Sequence, residues 1–215
     1  MDLESTYVKD VYNEIAQAFN ITRYNHWPSV VNFINSFEQN SLLLDSGCGN
    51  GKNMEIRKDI NIVGCDISEE LIKICKNKNL NVLLANIKKL PFNNNIFDGI
   101  LCIAVIHHID KFDDRLNTIN ELIRVLKPNK KLLIQVWAKE QKLTEKFIPI
   151  NDQNDFFVTW KKDSITKRFY HLFTEQEVDN MLNKLQNIKI ISKTFEADNW
   201  SIIIEKISLF EYISK

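Results

Sequence analysis

Apolar positions recur along this chain with two periods, and the order of those periods predicts its architecture. Residues 6–19 place Val8, Val11, Tyr12, Ile15, Ala16 and Phe19 at helical spacing. Trp27-Pro28 interrupts that pattern, and a second helix is expected over about 29–37. From Ser41 onward short apolar runs alternate with helical patterns. Strands are expected near 41–46, 61–65, 81–85, 96–103 and 131–137, and helices near 51–58, 68–78 and 112–126. Ser68-Glu69-Glu70 is a good helix start, and Pro128 is expected to end a helix at Lys127. The run 96–104 is almost continuously apolar, as a strand buried on both faces should be.

Residues 139–168 are polar and read as an irregular connection over the face of the sheet that carries ligands. A helix with an acidic first turn resumes at Thr174-Glu175-Gln176-Glu177, and strands near 187–195 and 200–206 follow as a hairpin. The expected fold is α/β: Rossmann-like, a doubly wound, mostly parallel seven-stranded sheet with an antiparallel last strand. It divides into a helical lid (1–40), a core (41–138), a substrate-facing insertion (139–173) and a C-terminal helix with its hairpin (174–215).

Composition narrows the chemistry. The chain has 215 residues, long enough for one sizeable core, and 28 basic against 28 acidic side chains. Any nucleic-acid contact must therefore come from a local patch. The four cysteines (Cys48, Cys65, Cys75 and Cys102) form no C-x-x-C pair and read as reduced buried thiols, with no metal site expected. Asp2 and Glu4 stand where a signal peptide would be basic and apolar, and the apolar run near 100–106 is far too short to span a bilayer. A cytoplasmic protein, with a nuclear pool allowed and no membrane association, is the expectation.

The most telling local pattern is Leu42-Leu43-Leu44-Asp45-Ser46-Gly47-Cys48-Gly49-Asn50-Gly51. A buried strand ends in an acid and runs into a glycine bend that lets backbone approach a ligand closely. A dinucleotide site would space its glycines G-x-G-x-x-G. Here the spacing is G-x-G-x-G, and Asp45 directly before it would repel a pyrophosphate. The acid suits a cationic, zwitterionic ligand such as S-adenosylmethionine (SAM). Asp66 ends the second strand 21 positions beyond Asp45, where an acid holds ribose hydroxyls. Asn86, after the third strand, offers an amide to an adenine edge. The cofactor set is then Asp45, Gly47, Cys48, Gly49, Asp66, Ile67, Asn86, Ile87 and Cys102, with Cys102 more readily read as core.

Three further elements are particular. They are Arg23-Tyr24 with Trp27-Pro28, Ala104-Val105-Ile106-His107-His108, and Arg168-Phe169-Tyr170-His171. Together with Val11-Tyr12-Asn13-Glu14-Ile15-Ala16, Gly64-Cys65-Asp66, Val136-Trp137-Ala138 and Asp198-Asn199-Trp200, the chain resembles the eukaryotic tRNA wobble-uridine 5-carboxymethyl methyltransferases over nearly its whole length. It departs from their pattern at Ser46, at Pro128-Asn129-Lys130, and in a short middle segment.

The resemblance implies methyl transfer from SAM to the carboxylate of 5-carboxymethyluridine at tRNA position 34. It implies the tRNA anticodon loop as substrate and a small zinc-binding activator subunit as partner. Tyr12, otherwise a helix packing residue, joins the cofactor set only through this resemblance. Arg23, His107, His108, Arg168 and His171 are the suitable donors to hold a carboxylate, with His107 expected to face the site. Lys161, Lys162, Lys167 and Arg168, interleaved with Trp160, Phe169 and Tyr170 and opposed by Asp163 alone, suit a splayed single-stranded base and its phosphates. The alternatives are a methyltransferase for a small-molecule carboxylate or amine, and a non-catalytic scaffold of the same fold. An NAD dehydrogenase fails on the glycine spacing.

Overall fold

The structure, a computed structural model, describes residues 2–161 and 165–208. After one wide turn at Ser5–Lys9, helix α1 (Asp10–Thr22) buries Val11, Ile15 and Ala16. Pro28 opens α2 (Pro28–Asn35), since its missing N–H is one a first turn leaves unpaired anyway. The core then follows as β1 (Leu42–Ser46), β2 (Asn61–Asp66), α3 (Glu69–Asn77), β3 (Val82–Leu84), β4 (Phe97–Ile103), α4 (Phe112–Val125) and β5 (Leu126–Trp137). Ser68 caps α3 by accepting the Leu71 amide. Three strands come next: β6 (Phe147–Pro149), β7 (Asp155–Lys161) and β8 (Ile165–His171). The chain continues with α5 (Glu175–Asn183), opened by a capping box between Thr174 and Glu177, then β9 (Ile188–Glu196) and β10 (Asn199–Lys206).

Seven strands form one sheet in the order β3-β2-β1-β4-β5-β10-β9. β1 runs parallel to β2 and β4, β4 parallel to β5, and β10 antiparallel to both β5 and β9. Strand order reverses between β1 and β4, so the crevice at their carboxyl ends is the natural ligand site of such a sheet. Alternate residues serve opposite faces. Leu43, Leu101 and Leu133 pack with Val30, Phe33 and Ile34 of α2 and with Ile72 and Cys75 of α3. Leu44, Ile100 and Leu132 pack with Ile119 and Leu122 of α4 and Val178 and Met181 of α5. Each such leucine or isoleucine is fully buried, contributing roughly 1.5–3 kcal/mol.

Three expectations are corrected. No helix spans 51–58. A single 3-10 turn at Lys52–Glu55 follows Gly51, whose φ of 76° is left-handed. Arg57 then draws the chain away by donating to the carbonyls of Ile34 and Phe37 (3.3 and 2.7 Å) while pairing with Asp59. Pro128 does not close α4, which already ends at Val125. β5 begins at Leu126 and carries Pro128 through a register shift opposite Phe97 and Gly99, where a ladder tolerates proline. Finally, the segment expected to be irregular holds a three-stranded antiparallel sheet, β6-β7-β8. Its inner face is Phe147, Phe156, Val158 and Tyr170, packed against Trp137 at the end of β5. Among the described residues, no helix is long and apolar enough to cross a membrane.

Candidate active site

A cavity of about 680 Å³ opens at the carboxyl ends of β1, β2 and β4 and is roofed by α1 and β8. Its floor is the glycine bend. The amides of Gly47 and Cys48 both donate to the carbonyl of Cys65 (2.8 and 2.9 Å), which pins the bend to the end of β2. Gly47 has φ of 76°, and a Cβ there would lie 2.3 Å from Cγ2 of Val105. The close approach of the two loops therefore needs glycine. Cys48 lines the cavity as a protonated thiol, kept so by its hydrogen bond with Cys75 and by burial.

Asp66 lines the cavity and spends one lone pair of each oxygen on backbone. Oδ2 accepts the Gly49 amide and Oδ1 the Ser68 amide, both at 2.9 Å. Burial raises its pKa, and the two amides hold it in place as a carboxylate with acceptor capacity left over. Ile67, Asn86 and Ile87 line the adjoining wall. Asn86 Oδ1 takes the Lys88 amide at 2.9 Å, so the side-chain NH2 is the end that can serve a ligand.

Asp45 does not reach the cavity wall. It is fully buried beneath the bend, and neither carboxylate oxygen has a hydrogen bond of normal geometry, although Asn53 lies close enough to draw its pKa down. Burial dominates and pushes that pKa up to about 7. A carboxyl group raised in this way keeps a proton in the folded chain that the unfolded chain gives up near pH 4. Stability of the ligand-free protein should therefore fall as pH rises from about 4 to about 7 through this group. Asp45→Asn should flatten that fall in urea unfolding at pH 5 and pH 7.5; an unchanged difference would assign the slope elsewhere.

Cys102 is also set back from the cavity. It is fully buried in β4 among the α4-side core, and burial pushes its thiol up to about 12. The alternation along the strand turns it away from the ligand side.

The cavity is also lined by Arg23, Arg168, His108, Tyr12 and Tyr170. Arg168 is only 4% exposed. It donates from Nη1 to the Tyr170 hydroxyl at 2.8 Å, and its Nε has no hydrogen-bond partner. Its guanidinium centre lies 4.9 Å from the Trp160 ring, and that of Arg23 lies 5.0 Å from the same ring. One indole thus orders two cations. Lys52, Lys88 and Lys146 add positive charge to the lining, against Glu4, Asp66 and Asp198.

The histidine pair divides the other way from expectation. His108 is on the cavity wall, with Nε2 2.9 Å from the Tyr12 hydroxyl. His107 stands behind it, fully buried against Trp137 and Tyr170, its Nδ1 accepting the Trp137 amide at 3.1 Å. The 3-10 turn Ile106–His108 places adjacent side chains about 120° apart, so only one of the two can face the ligand. His171 is likewise away from the cavity. It donates from Nδ1 to Asp155 Oδ1 (2.6 Å), and its Nε2 lies 3.5 Å from Glu177 Oε1. Arg115 reaches the same Asp155 oxygen at 3.7 Å and donates to the carbonyl of Ile109 at 2.7 Å. This buried network fastens the three-stranded sheet to α4 and α5. It is invisible in the sequence because its members lie up to 62 positions apart, from Arg115 to Glu177. Lys88 and Lys146 were also not expected at the site, and no local motif marks them. Tyr170 was expected there as a ring for a base, and the structure adds that its hydroxyl accepts from Arg168.

The sheet order, the glycine bend and this cavity define a class I SAM-dependent methyltransferase fold. The methyltransferase domain family matches residues 44–134. A solved SAM-dependent methyltransferase from Clostridium acetobutylicum superposes with a TM-score of 0.69 at 17% identity, covering 92% of this chain and 100% of that one. A Haloferax volcanii complex between the Trm112 methyltransferase activator and a putative methyltransferase matches with a TM-score of 0.70 at 14% identity, over 96% of this chain and 98% of that one. At these identities the likeness is one of fold.

Sequence relatives go further. The tRNA (carboxymethyluridine(34)-5-O)-methyltransferase of Schizosaccharomyces pombe is 32% identical over 227 residues, 96% of this chain and 99% of the relative. The chain belongs to this family of tRNA methyltransferases. It is also 32% identical to the Xenopus tropicalis protein of that name over 95% of its length, but spans only 41% of that longer relative.

Proposed function

We propose that this chain esterifies the carboxylate of 5-carboxymethyluridine at the wobble position, residue 34, of tRNA, taking the methyl group from SAM. The observation that carries the reading is the paired guanidiniums of Arg23 and Arg168, ordered on Trp160 beside the glycine bend. The residues fit the cofactor. Asp66 has acceptor capacity for ribose hydroxyls, Asn86 and Ile87 flank the place for the base, and the bend admits only backbone near Gly47. A cationic group above the bend would favour the ionised form of the buried Asp45 carboxyl, which burial otherwise keeps protonated. When bound, SAM supplies an electrophilic methyl carbon.

The chain's task is then to hold and desolvate the acceptor. A carboxylate is already a nucleophile at neutral pH, so no side chain has to remove a proton. One carboxylate oxygen forms the bond to the methyl carbon as the carbon–sulfur bond breaks, leaving a methyl ester and a thioether. Arg168 and Arg23 position the anion, and the rings of Tyr12, Phe19 and Trp137 exclude water. His108, neutral at working pH because burial pushes its pKa down to about 3, serves as a hydrogen-bonding wall.

Around the mouth, Tyr24 is 71% exposed next to Arg23, and Lys146 and Lys52 rest on the rings of Phe147 and Trp27 (5.0 and 4.4 Å). Fixed cations and an open aromatic suit a single-stranded loop with its phosphates. Lys162 and Asp163 of the basic segment lie outside the described residues. The deciding experiment incubates labelled SAM with tRNA carrying or lacking the 5-carboxymethyl group. Base-labile label is expected only in the former, and label on both would overturn the reading.

We further propose that a small zinc-binding activator subunit pairs with the chain. Support comes from the resemblance and from apolar groups left open at both sheet edges: Leu84 on β3, and Ile190, Ile191 and Phe195 on β9. The chain purified alone should be poorly soluble or weakly active. Full specific activity without a partner would remove this part of the proposal.

A further inference from the structure

We propose that Tyr170 is a positioning residue that aims Arg168 at the acceptor carboxylate, as one link in a hydrogen-bond chain whose direction is set from its far end. The inference deepens the functional reading above and rests on it. Direction begins at His108. Its Nδ1 is 2.7 Å from the carbonyl oxygen of Phe169, which can only accept, so Nδ1 carries the proton. The ring is buried and neutral, and its Nε2 is therefore a bare acceptor.

The Tyr12 hydroxyl, 2.9 Å from that nitrogen, must donate to it. Its single proton is then spent, and its oxygen can only accept from its other neighbours. Those are the Tyr170 hydroxyl at 3.3 Å and Arg168 Nη1 at 3.5 Å. Tyr170 turns its proton toward Tyr12 and its lone pair toward Arg168 Nη1, 2.8 Å away. A guanidinium has no acceptor, so no link can reverse. The chain runs from Arg168 through Tyr170, Tyr12 and His108 to Phe169, leaving and re-entering β8 at neighbouring residues.

This arrangement fixes one corner of the guanidinium and leaves another on offer. Arg168 Nε is a buried donor with no partner, on a side chain that lines the cavity. A carboxylate is the group whose two oxygens match two guanidinium N–H vectors. Burial leaves His108 too weakly basic to take a proton from a substrate through Tyr12. Acceptors that must lose a proton to react, such as amines and alcohols, gain nothing from this cluster, and an acceptor already ionised does.

Two measurements test the inference. Long-range 15N–1H spectra of the labelled chain should show His108 as the Nδ1–H tautomer, uncharged from pH 5 to pH 8. An Nε2–H tautomer, or an imidazolium near pH 6.5, would overturn the direction of the chain. In kinetics on acceptor RNA, Tyr170→Phe should raise KM about tenfold, the effect of one hydrogen bond to a charged group, and leave SAM affinity unchanged. Added to Arg168→Lys, the same change should cost little more. If the two effects multiply, Tyr170 acts independently of Arg168 and the inference fails. Tyr12→Phe, which breaks the next link, gives the same comparison should Tyr170→Phe fail to fold. A wild-type protein that never esterifies acceptor RNA would sink the functional reading instead, and the spectra would still decide the direction of the chain.

Discussion

Arg168→Ala should lower kcat/KM for acceptor RNA by about 30- to 5000-fold, because truncating one partner of a buried charge pair costs about 2–5 kcal/mol. SAM affinity should change far less, since among the residues assigned to the cofactor only Tyr12 has a hydrogen bond to this guanidinium, a long one of 3.5 Å. Arg168→Lys should recover only part of the loss. Lysine restores the charge but not the fork, and it cannot keep Nη1 on Tyr170 while offering a second N–H to the ligand. Steady-state kinetics with calorimetric SAM titration separates the two affinities. A kcat/KM within about fivefold of wild type, roughly 1 kcal/mol, would remove Arg168 from the acceptor site.

Gly47→Ala should weaken SAM binding by about a hundredfold or more. The left-handed φ of 76° costs an alanine about 1–2 kcal/mol by itself. The new methyl would also stand 2.3 Å from Cγ2 and 3.0 Å from Cγ1 of Val105, and a short β-branched side chain has no rotamer that clears both. Relief requires moving the bend, which breaks the paired amide contacts to Cys65. Gly49→Ala is the control. Its methyl meets the Phe19 ring at 3.3 Å, and that ring can give way. Calorimetry should find the Gly49 variant affected less; equal losses would show that backbone strain, common to both, decides the outcome.

Much of this was legible in the residues because it is local. Apolar runs ended by Asp45 and Asp66, the glycine spacing, and the strand–helix rhythm gave the seven strands and the floor of the cavity. What escaped is long-range or depends on a single torsion. The three-stranded sheet alternates Phe156 and Val158 inward, but dense lysine, asparagine and aspartate around those residues hid the period of two. The helix expected after Gly51 failed because three left-handed glycines use up the turn and Arg57 is tied elsewhere. Adjacent histidines carry no sign of which one a 3-10 turn points at a ligand. Asp45 and Cys102 share strands with site residues yet are turned beneath it.

The buried contacts of His171, Asp155 and Arg115 have a consequence for how the molecule breathes. They weld the strand bearing Arg168 to the helix that follows the histidine turn, so both sides of the cavity share one rigid frame. Amide hydrogens of β8 should therefore exchange at nearly the rate of those in α4, through whole-molecule opening rather than by peeling of a lid. Little ordering entropy would then remain to be spent when the nucleotide arrives.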